Sequence, residues 1–286
     1  MSLEEEIGAG AGVRVTGSRR VSGGSINDAL QVELADGRRA FVKTRPDPRP
    51  GEYAAEAASL AWLAEPAAVR LPVVIASGES FLAIEWIEPG ALDAAGEEAL
   101  GRGLAAMHTA GADAFGAFHD AEPELHVGPL GFDATPSDDW PAFYAERLVR
   151  PLIAPAADGG SLSRGGAQAV ERVCDRVEAL AGPAEPPARL HGDLWGGNVM
   201  GGADGGAWLV DPIAYGGHRE VDLAMLRLFG APSRRVFDAY EEAAPLADGH
   251  RERVELWQLF PLMVHTVLFG GGYGCSAEAV ARRYAG

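Results

Sequence analysis

The run Leu190-His191-Gly192-Asp193-Leu194-Trp195-Gly196-Gly197-Asn198 brings a histidine, a carboxylate and an amide together within nine residues. Asp211-Pro212 follows thirteen residues after Asn198, behind the apolar stretch Trp208-Leu209-Val210. An H-x-D-x-x-x-x-N run followed by an aspartate at a strand end is the layout of kinase-type phosphoryl transfer. The chemistry explains the residue types. The Asp193 carboxylate can meet an acceptor hydroxyl and take its proton. The Asn198 amide oxygen and the Asp211 carboxylate can hold Mg2+ against nucleotide phosphates. Magnesium prefers oxygen and usually takes only one or two ligands from carboxylates. His191 reads as a support of this loop, because Asp193 is the better placed base.

The parts that would hold a nucleotide precede this run in order. Of the 24 basic residues, 23 are arginine, and the single lysine is Lys43. A site that needs a compact ammonium would resist replacement by a forked guanidinium. Lys43 suits the α and β phosphates of ATP. Glu56, 13 residues on, suits the carboxylate that orients it; the plain alternative is a helix-surface glutamate. Gly23, Gly24 and Ser25 lie in a flexible turn, Ser22 to Asn27, whose backbone donors could cover phosphates or merely turn a hairpin. Glu85, Trp86 and Ile87 lie where the chain leaves its first part, and their backbone groups could pair with an adenine edge.

These residues need a β-rich frame and then a helical one. Val13 to Thr16 and Ser18 to Val21 are β-rich, and Leu30, Val32 and Leu34 alternate with polar residues as in a half-buried strand. Asp36-Gly37 signals a hairpin, with Ala40 to Lys43 returning. Thr44 to Gly51 reads as a loop, Glu52 to Ala64 as a helix, and Val73 to Ala76 and Phe81 to Glu85 as two more strands. Helices are predicted over Glu97 to Thr109, Trp140 to Val149, Gly166 to Leu180, Val221 to Phe229, Ser233 to Glu241, Arg251 to Phe269 and Ala277 to Tyr284. Pro261 should kink or split the sixth of these. The catalytic run falls on an island of short strands and turns, Arg189 to Gly217. The expected architecture is a two-lobed α/β (α+β) fold. Its small antiparallel β lobe, residues 1–88, would bind the nucleotide, and its mainly helical lobe, residues 89–286, would hold the catalytic groups and the acceptor.

Composition narrows the partners. The chain has 286 residues and a formal net charge of −17, which argues against nucleic acid and anionic lipid as partners. The first 88 residues carry a net −4 and the remainder −13, a field compatible with an amine-bearing acceptor. Cys174 and Cys275 stand far apart, and the histidines show no HxxxH or HxH spacing, so zinc is not expected and a reduced cytoplasm is. Three glutamates in Met1 to Glu6 do not suit a secretory leader. Leu256 to Tyr273, broken by Gln258, Pro261 and His265, reads as a buried helix and not as a membrane span.

The catalytic run with its tryptophan resembles that of the fructosamine kinase (ketosamine 3-kinase) family, a branch of the kinase-like fold that includes aminoglycoside phosphotransferases. Gly23-Gly24-Ser25-Ile26-Asn27, the stretch Asp211 to Met225 and the stretch Leu256 to Tyr273 resemble it too, and the likeness covers residue 20 to the end. It implies phosphorylation by ATP and Mg2+ of a sugar hydroxyl in ketosamines, the fructosamine or ribulosamine adducts of amines or protein lysines. The phosphorylated adduct is unstable, so the outcome would be deglycation. The resemblance also implies that Asp222 bonds the backbone of the catalytic loop. His218, four residues earlier, reads as its i to i+4 partner and a structural support. Trp195 could stack on the acceptor sugar or pack in the core. His265 and Phe269 share a helix face and read as core that could also line the acceptor pocket. Two departures concern the acceptor: Ala134 stands where related sequences often carry asparagine, and Leu148-Val149-Arg150 differs from the usual arginine-rich ending. The rivals are an aminoglycoside, choline-like or homoserine kinase of the same fold, and a non-catalytic nucleotide-binding module. Degenerate kinases usually lose the lysine, the base or the metal aspartate, and all three are present here.

Overall fold

The computed structural model describes residues 2–21, 28–118, 123–230 and 232–286. It opens on helix α1, Leu3–Ala11, which the sequence reading missed. Ser2 accepts the Glu5 N–H and the Glu5 side chain accepts the Ser2 N–H, a reciprocal cap that starts the helix. Five antiparallel strands follow: β1 Val15–Val21, β2 Asp28–Leu34, β3 Arg39–Thr44, β4 Val74–Ser77 and β5 Phe81–Glu85. Their order across the sheet is β1-β2-β3-β5-β4. The two predicted runs at the start are one strand, with a register irregularity between Val15 and Gly17. Helix α2, Glu52–Ala64, spans the predicted residues. Ile7 of α1 packs with Val32, Leu34, Val42 and Phe81 on one face of the sheet.

Beyond the sheet come α3, Ala94–Thr109, and a hairpin of β6, Glu124–Val127, and β7, Leu130–Asp133. The single helix expected from Trp140 to Val149 is instead a short turn, α4 Trp140–Ala142, which widens into a π-helix, Phe143–Val149. The widening ends at Val149, two residues before Pro151, which cannot donate to an α ladder. Then follow α5 Ile153–Asp158, α6 Arg164–Leu180, β8 Ala188–Leu190, β9 Val199–Gly201, β10 Ala207–Leu209 and β11 Tyr215–Gly217. Helices α7 Glu220–Leu228, α8 Arg234–Ala243, α9 His250–Phe269 and α10 Gly272–Tyr284 complete the chain.

Pro261 does not split α9. The Tyr144 hydroxyl enters the backbone ladder just ahead of it, accepting the Phe260 N–H at 3.2 Å and donating to the Leu256 carbonyl at 2.8 Å. The inserted side chain thus satisfies the opened Leu256–Phe260 pair one step before the proline. Among the described residues no helix is long and apolar enough to cross a membrane.

The sheet and the helices are joined firmly. Leu60, Leu63, Leu82 and Ile84 belong to one buried cluster with Leu100, Leu104, Leu194, Leu209, Leu226 and Tyr240. The connecting segment is pinned to the β9–β10 turn. Gly90 N–H donates to Gly201, Ala203 N–H to Glu88 and Asp93 N–H to Gly205, all at 2.8–3.0 Å. This fixes where the sheet stands over the catalytic island.

Candidate active site

Leu194, fully buried, anchors the loop between β8 and β9, and β11 pairs with β8 beside it. Gly192 turns with φ +80°, and a Cβ there would strike the Ile213 carbonyl, so only glycine suits the position. Asp222 holds the same turn from α7. Its two oxygens accept the N–H groups of His191 at 2.7 Å and Gly192 at 3.0 Å. Its second support is His108, whose Nε2 lies 3.3 Å away and whose Nδ1 meets the Tyr240 hydroxyl at 2.8 Å. His218 is not its i to i+4 partner. That residue precedes α7, stacks on Trp257 and accepts the Glu220 N–H through Nδ1. His191 is fully buried. Its Nε2 is 3.0 Å from the Val210 carbonyl, and Nδ1 accepts the Asp193 N–H at 3.3 Å. Burial lowers its pKa, and both ring nitrogens are already committed to backbone.

Asp193 points to Asn198. The Asn198 Nδ2 donates to the Asp193 carbonyl at 2.8 Å and to Asp193 Oδ2 at 2.9 Å. Burial pushes the Asp193 carboxyl up to about 7, against the Asn198 bond, with the charges of Asp211 and Asp222 adding to the rise. The Val210 N–H donates to the Asn198 carbonyl at 3.1 Å, which draws Asp211 to the same place. Asp211 adopts a left-handed φ of +57°, a conformation aspartate tolerates better than most residues.

Lys43 arrives from β3. Its Nζ donates to Glu56 Oε1 on α2 at 2.6 Å and also to Asp211 Oδ1. Burial opposes the ammonium, but the carboxylates of Glu56 and Asp211 hold its pKa above the usual lysine value. The lysine, the two aspartates and the asparagine therefore share one crevice, with Glu56 behind the lysine.

The oxygen donors of this crevice suit a magnesium ion. Both Asn198 Nδ2 bonds are spent on Asp193, which leaves the amide oxygen as a free acceptor. The Asp211 side chain is 45% exposed and commits only one oxygen to Lys43. One amide oxygen and one carboxylate, with phosphate and water completing the shell, fit magnesium. Among the described residues no three His, Cys, Asp or Glu side chains cluster as a metal-binding group.

The remaining predicted residues divide. Gly23, Gly24 and Ser25 lie outside the described residues. In the Glu85–Ile87 segment, the Glu85 and Trp86 N–H groups already donate to the Val73 and Arg39 carbonyls. Only the Ile87 N–H has no partner among the described residues, so the donor side of any adenine contact narrows to it. Trp195 is 39% exposed, with its indole folded over Gly197. The His265 Nδ1–H donates to the Pro261 carbonyl, 2.8 Å away. Phe269 is not core: it is 67% exposed at the end of α9. His265 lies 4.5 Å from the Phe229 ring, 5.3 Å from Phe269 and 5.0 Å from Tyr273. This aromatic group adjoins the catalytic loop, since a Cβ on Gly196 would strike the Gly230 carbonyl and touch that of Phe229. Sequence reasoning missed Phe229 as a member. It sits just past α7, and only the fold brings it to His265.

Comparison with known proteins agrees with this geometry. The family model described as fructosamine kinase matches residues 3–285. A probable ketoamine kinase of Thermus thermophilus is 39% identical over 238 residues, covering 82% of this chain and 83% of the relative. The crystal structure of a candidate fructosamine-3-kinase from Thermobifida fusca superposes with a TM-score of 0.92 at 44% identity, covering 99% of this chain and 98% of that one. Choline kinase LicA of Streptococcus pneumoniae shares the fold alone, with a TM-score of 0.63 at 14% identity and coverage of 99% and 97%. The two-part kinase-like fold, the crevice that joins its parts and a family match along nearly the whole chain lead to one conclusion: the chain belongs to the fructosamine kinase family, phosphotransferases whose acceptor is an alcohol group.

Proposed function

We propose that the protein transfers the γ-phosphoryl group of ATP, with Mg2+, to a sugar hydroxyl of a ketosamine, and that the unstable product leads to deglycation. The single observation that carries this is the convergence of Lys43, Asp193, Asn198 and Asp211 in one crevice. In this reading Asp193 accepts the hydrogen bond of the acceptor hydroxyl, orients it in line with the γ-phosphorus and takes its proton as the new P–O bond forms and the bond from the γ-phosphorus to the bridging oxygen breaks, releasing ADP. Lys43, held by Glu56, meets the α and β phosphates. Asn198 and Asp211 would hold magnesium, which offsets phosphate charge when bound. Asn198 has a second task, fixing the rotamer of Asp193. The Ile87 N–H and its neighbouring carbonyls suit an adenine edge. Trp195 with the Phe229, His265, Phe269 and Tyr273 group would flank the acceptor.

We assign residues 1–88 to the nucleotide lobe and 89–286 to the catalytic and acceptor lobe. A cytoplasmic setting fits the two free thiols, Cys174 and Cys275. The test is incubation of the purified protein with ATP, Mg2+ and a panel of fructosamines, ribulosamines, aminoglycosides, choline and homoserine. Phosphorylation of the ketosamines is expected. Turnover confined to another acceptor class would overturn the substrate assignment, and nucleotide binding with no turnover at all would point to a binding module.

A further inference from the structure

Helix α2 carries Glu56, and its far end is held from the catalytic island. The Trp62 carbonyl, in the last turn of α2, would ordinarily receive the N–H of residue 66, but Pro66 has none. The Glu65 N–H reaches it only at 3.4 Å. Arg189 takes up the vacancy from β8, two residues before His191. Its Nη1 donates to the Trp62 carbonyl at 2.7 Å and to Glu65 Oε2 at 2.6 Å, and its Nε donates to the Gly111 carbonyl at 2.8 Å. The guanidinium carbon also stands 4.8 Å from the centre of the Trp62 ring, on which Phe118 stacks at 4.5 Å. One side chain thus joins the end of α2, the turn after α3 and the strand that leads into the catalytic run. A cation there also meets the negative end of the helix dipole. The Arg189 side chain is only 17% exposed, so solvent ions screen these contacts little.

From this clamp a ridge of α2 runs back to the phosphates. Glu56, Ser59 and Trp62 follow one another at steps of three. Ser59 is buried, and its Oγ accepts the N–H of Ala214, three residues past Asp211, at 3.3 Å. Glu56 receives Lys43 at 2.6 Å, and Lys43 also donates to Asp211. Trp62 lies about 9 Å along the helix axis from Glu56, at 1.5 Å per residue. With the Trp62 end freed, Ser59 is left as the polar pivot, and a tilt at one end of the helix displaces Glu56 at the other.

We propose that Arg189 is a positioning residue for the nucleotide: by clamping the end of α2 to the catalytic strand, it holds Glu56, and through it Lys43, in register with Asp211. This rests on the reading that Lys43 meets the ATP phosphates.

The test is a double-mutant cycle read as kcat/KM for ATP, with whichever acceptor of the panel the protein turns over. Glu56→Gln should lower it about tenfold or more. Arg189→Met keeps an apolar stem and removes the guanidinium. It should lower kcat/KM about five- to tenfold alone, but less than about twofold on top of Glu56→Gln, while KM for the acceptor moves less than about twofold. Arg189→Lys keeps a cation but not the fork that serves two carbonyls at once, so its loss should be smaller. If Arg189→Met does not fold, Arg189→Lys carries the same cycle. A folded Arg189→Met protein within about twofold of wild type overturns the proposal. So do equal losses with and without Glu56→Gln, since the clamp would then act on the fold in general and not through Glu56. Glu56→Gln without effect, or ATP bound and no acceptor turned over, overturns the reading of the crevice and the proposal with it.

Discussion

Replacing Asp222 with alanine should unhook the catalytic loop. The side chain is fully buried, and its two oxygens are the only acceptors given to the N–H groups of His191 and Gly192 among the described residues. A buried donor left without a partner costs about 1–3 kcal/mol, so the two together cost about 2–6 kcal/mol. Removal of a buried charge returns part of its desolvation penalty, which brings the expected loss to about 2–4 kcal/mol. At about 2–4 °C per kcal/mol for a chain of this order, the melting temperature should drop by about 4–16 °C. Asp222→Asn keeps one acceptor and turns an NH2 group towards the other amide, so its loss should be smaller but real. Calorimetric melting gives the magnitude, and hydrogen exchange at the His191 and Gly192 amides gives the location. Phosphoryl transfer should fall in both variants because Asp193 is carried on the same turn. An Asp222→Ala protein that melts within about 2 °C of wild type, with both amides still protected, would refute the reasoning.

Three further outcomes are expected. Gly192→Ala places a Cβ against the Ile213 carbonyl at φ +80°, so it should lower stability by about 2 kcal/mol or more and abolish turnover, read by melting and assay. Tyr144→Phe leaves the opened ladder of α9 without its inserted hydroxyl and should cost about 1–3 kcal/mol in denaturant unfolding. Burial lowers the pKa of His218 below 6.5, against the pull of Glu220 and Glu185, with Arg253 and Arg219 adding to the fall. Between the folded and unfolded pKa values the unfolded chain binds the extra proton, so stability is full above about pH 6.5 and falls on acidification, by at most about 1.4 kcal/mol per pH unit. His218→Asn should remove that part of the acid slope in unfolding titrations from pH 7 to 5. An unchanged slope would place the acid sensitivity elsewhere.

The convergence of Lys43, Asp193, Asn198 and Asp211 was legible because these residues are local or unusual. Asp193 and Asn198 are five apart on one loop, and Lys43 is the single lysine of the chain. Strand alternation and the apolar face of α2 carried the frame. What the sequence concealed depends on contacts between distant residues. Nothing local links Asp222 to His108 and Tyr240, or Tyr144 to the ladder ahead of Pro261. His218 and Asp222 have helical spacing, but α7 begins only at Glu220, so the spacing did not produce a contact. Phe269 has an apolar side chain on a helix face, yet α9 ends there and leaves it exposed. The start of α1 is readable in principle from Ser2 and Glu5, which carry the spacing of a reciprocal helix cap. The β6–β7 hairpin turns on Gly128-Pro129, and its flanks are too short for periodicity to show.

The central claim is that Asp193 deprotonates the acceptor in a crevice whose nucleotide site is built by other residues. Its most direct test is Asp193→Ala, with ketosamine turnover at saturating ATP and Mg2+ measured beside ATP affinity by calorimetry. Turnover should fall about a hundredfold or more while the ATP dissociation constant stays within about threefold. Near-normal turnover in that variant would contradict the account.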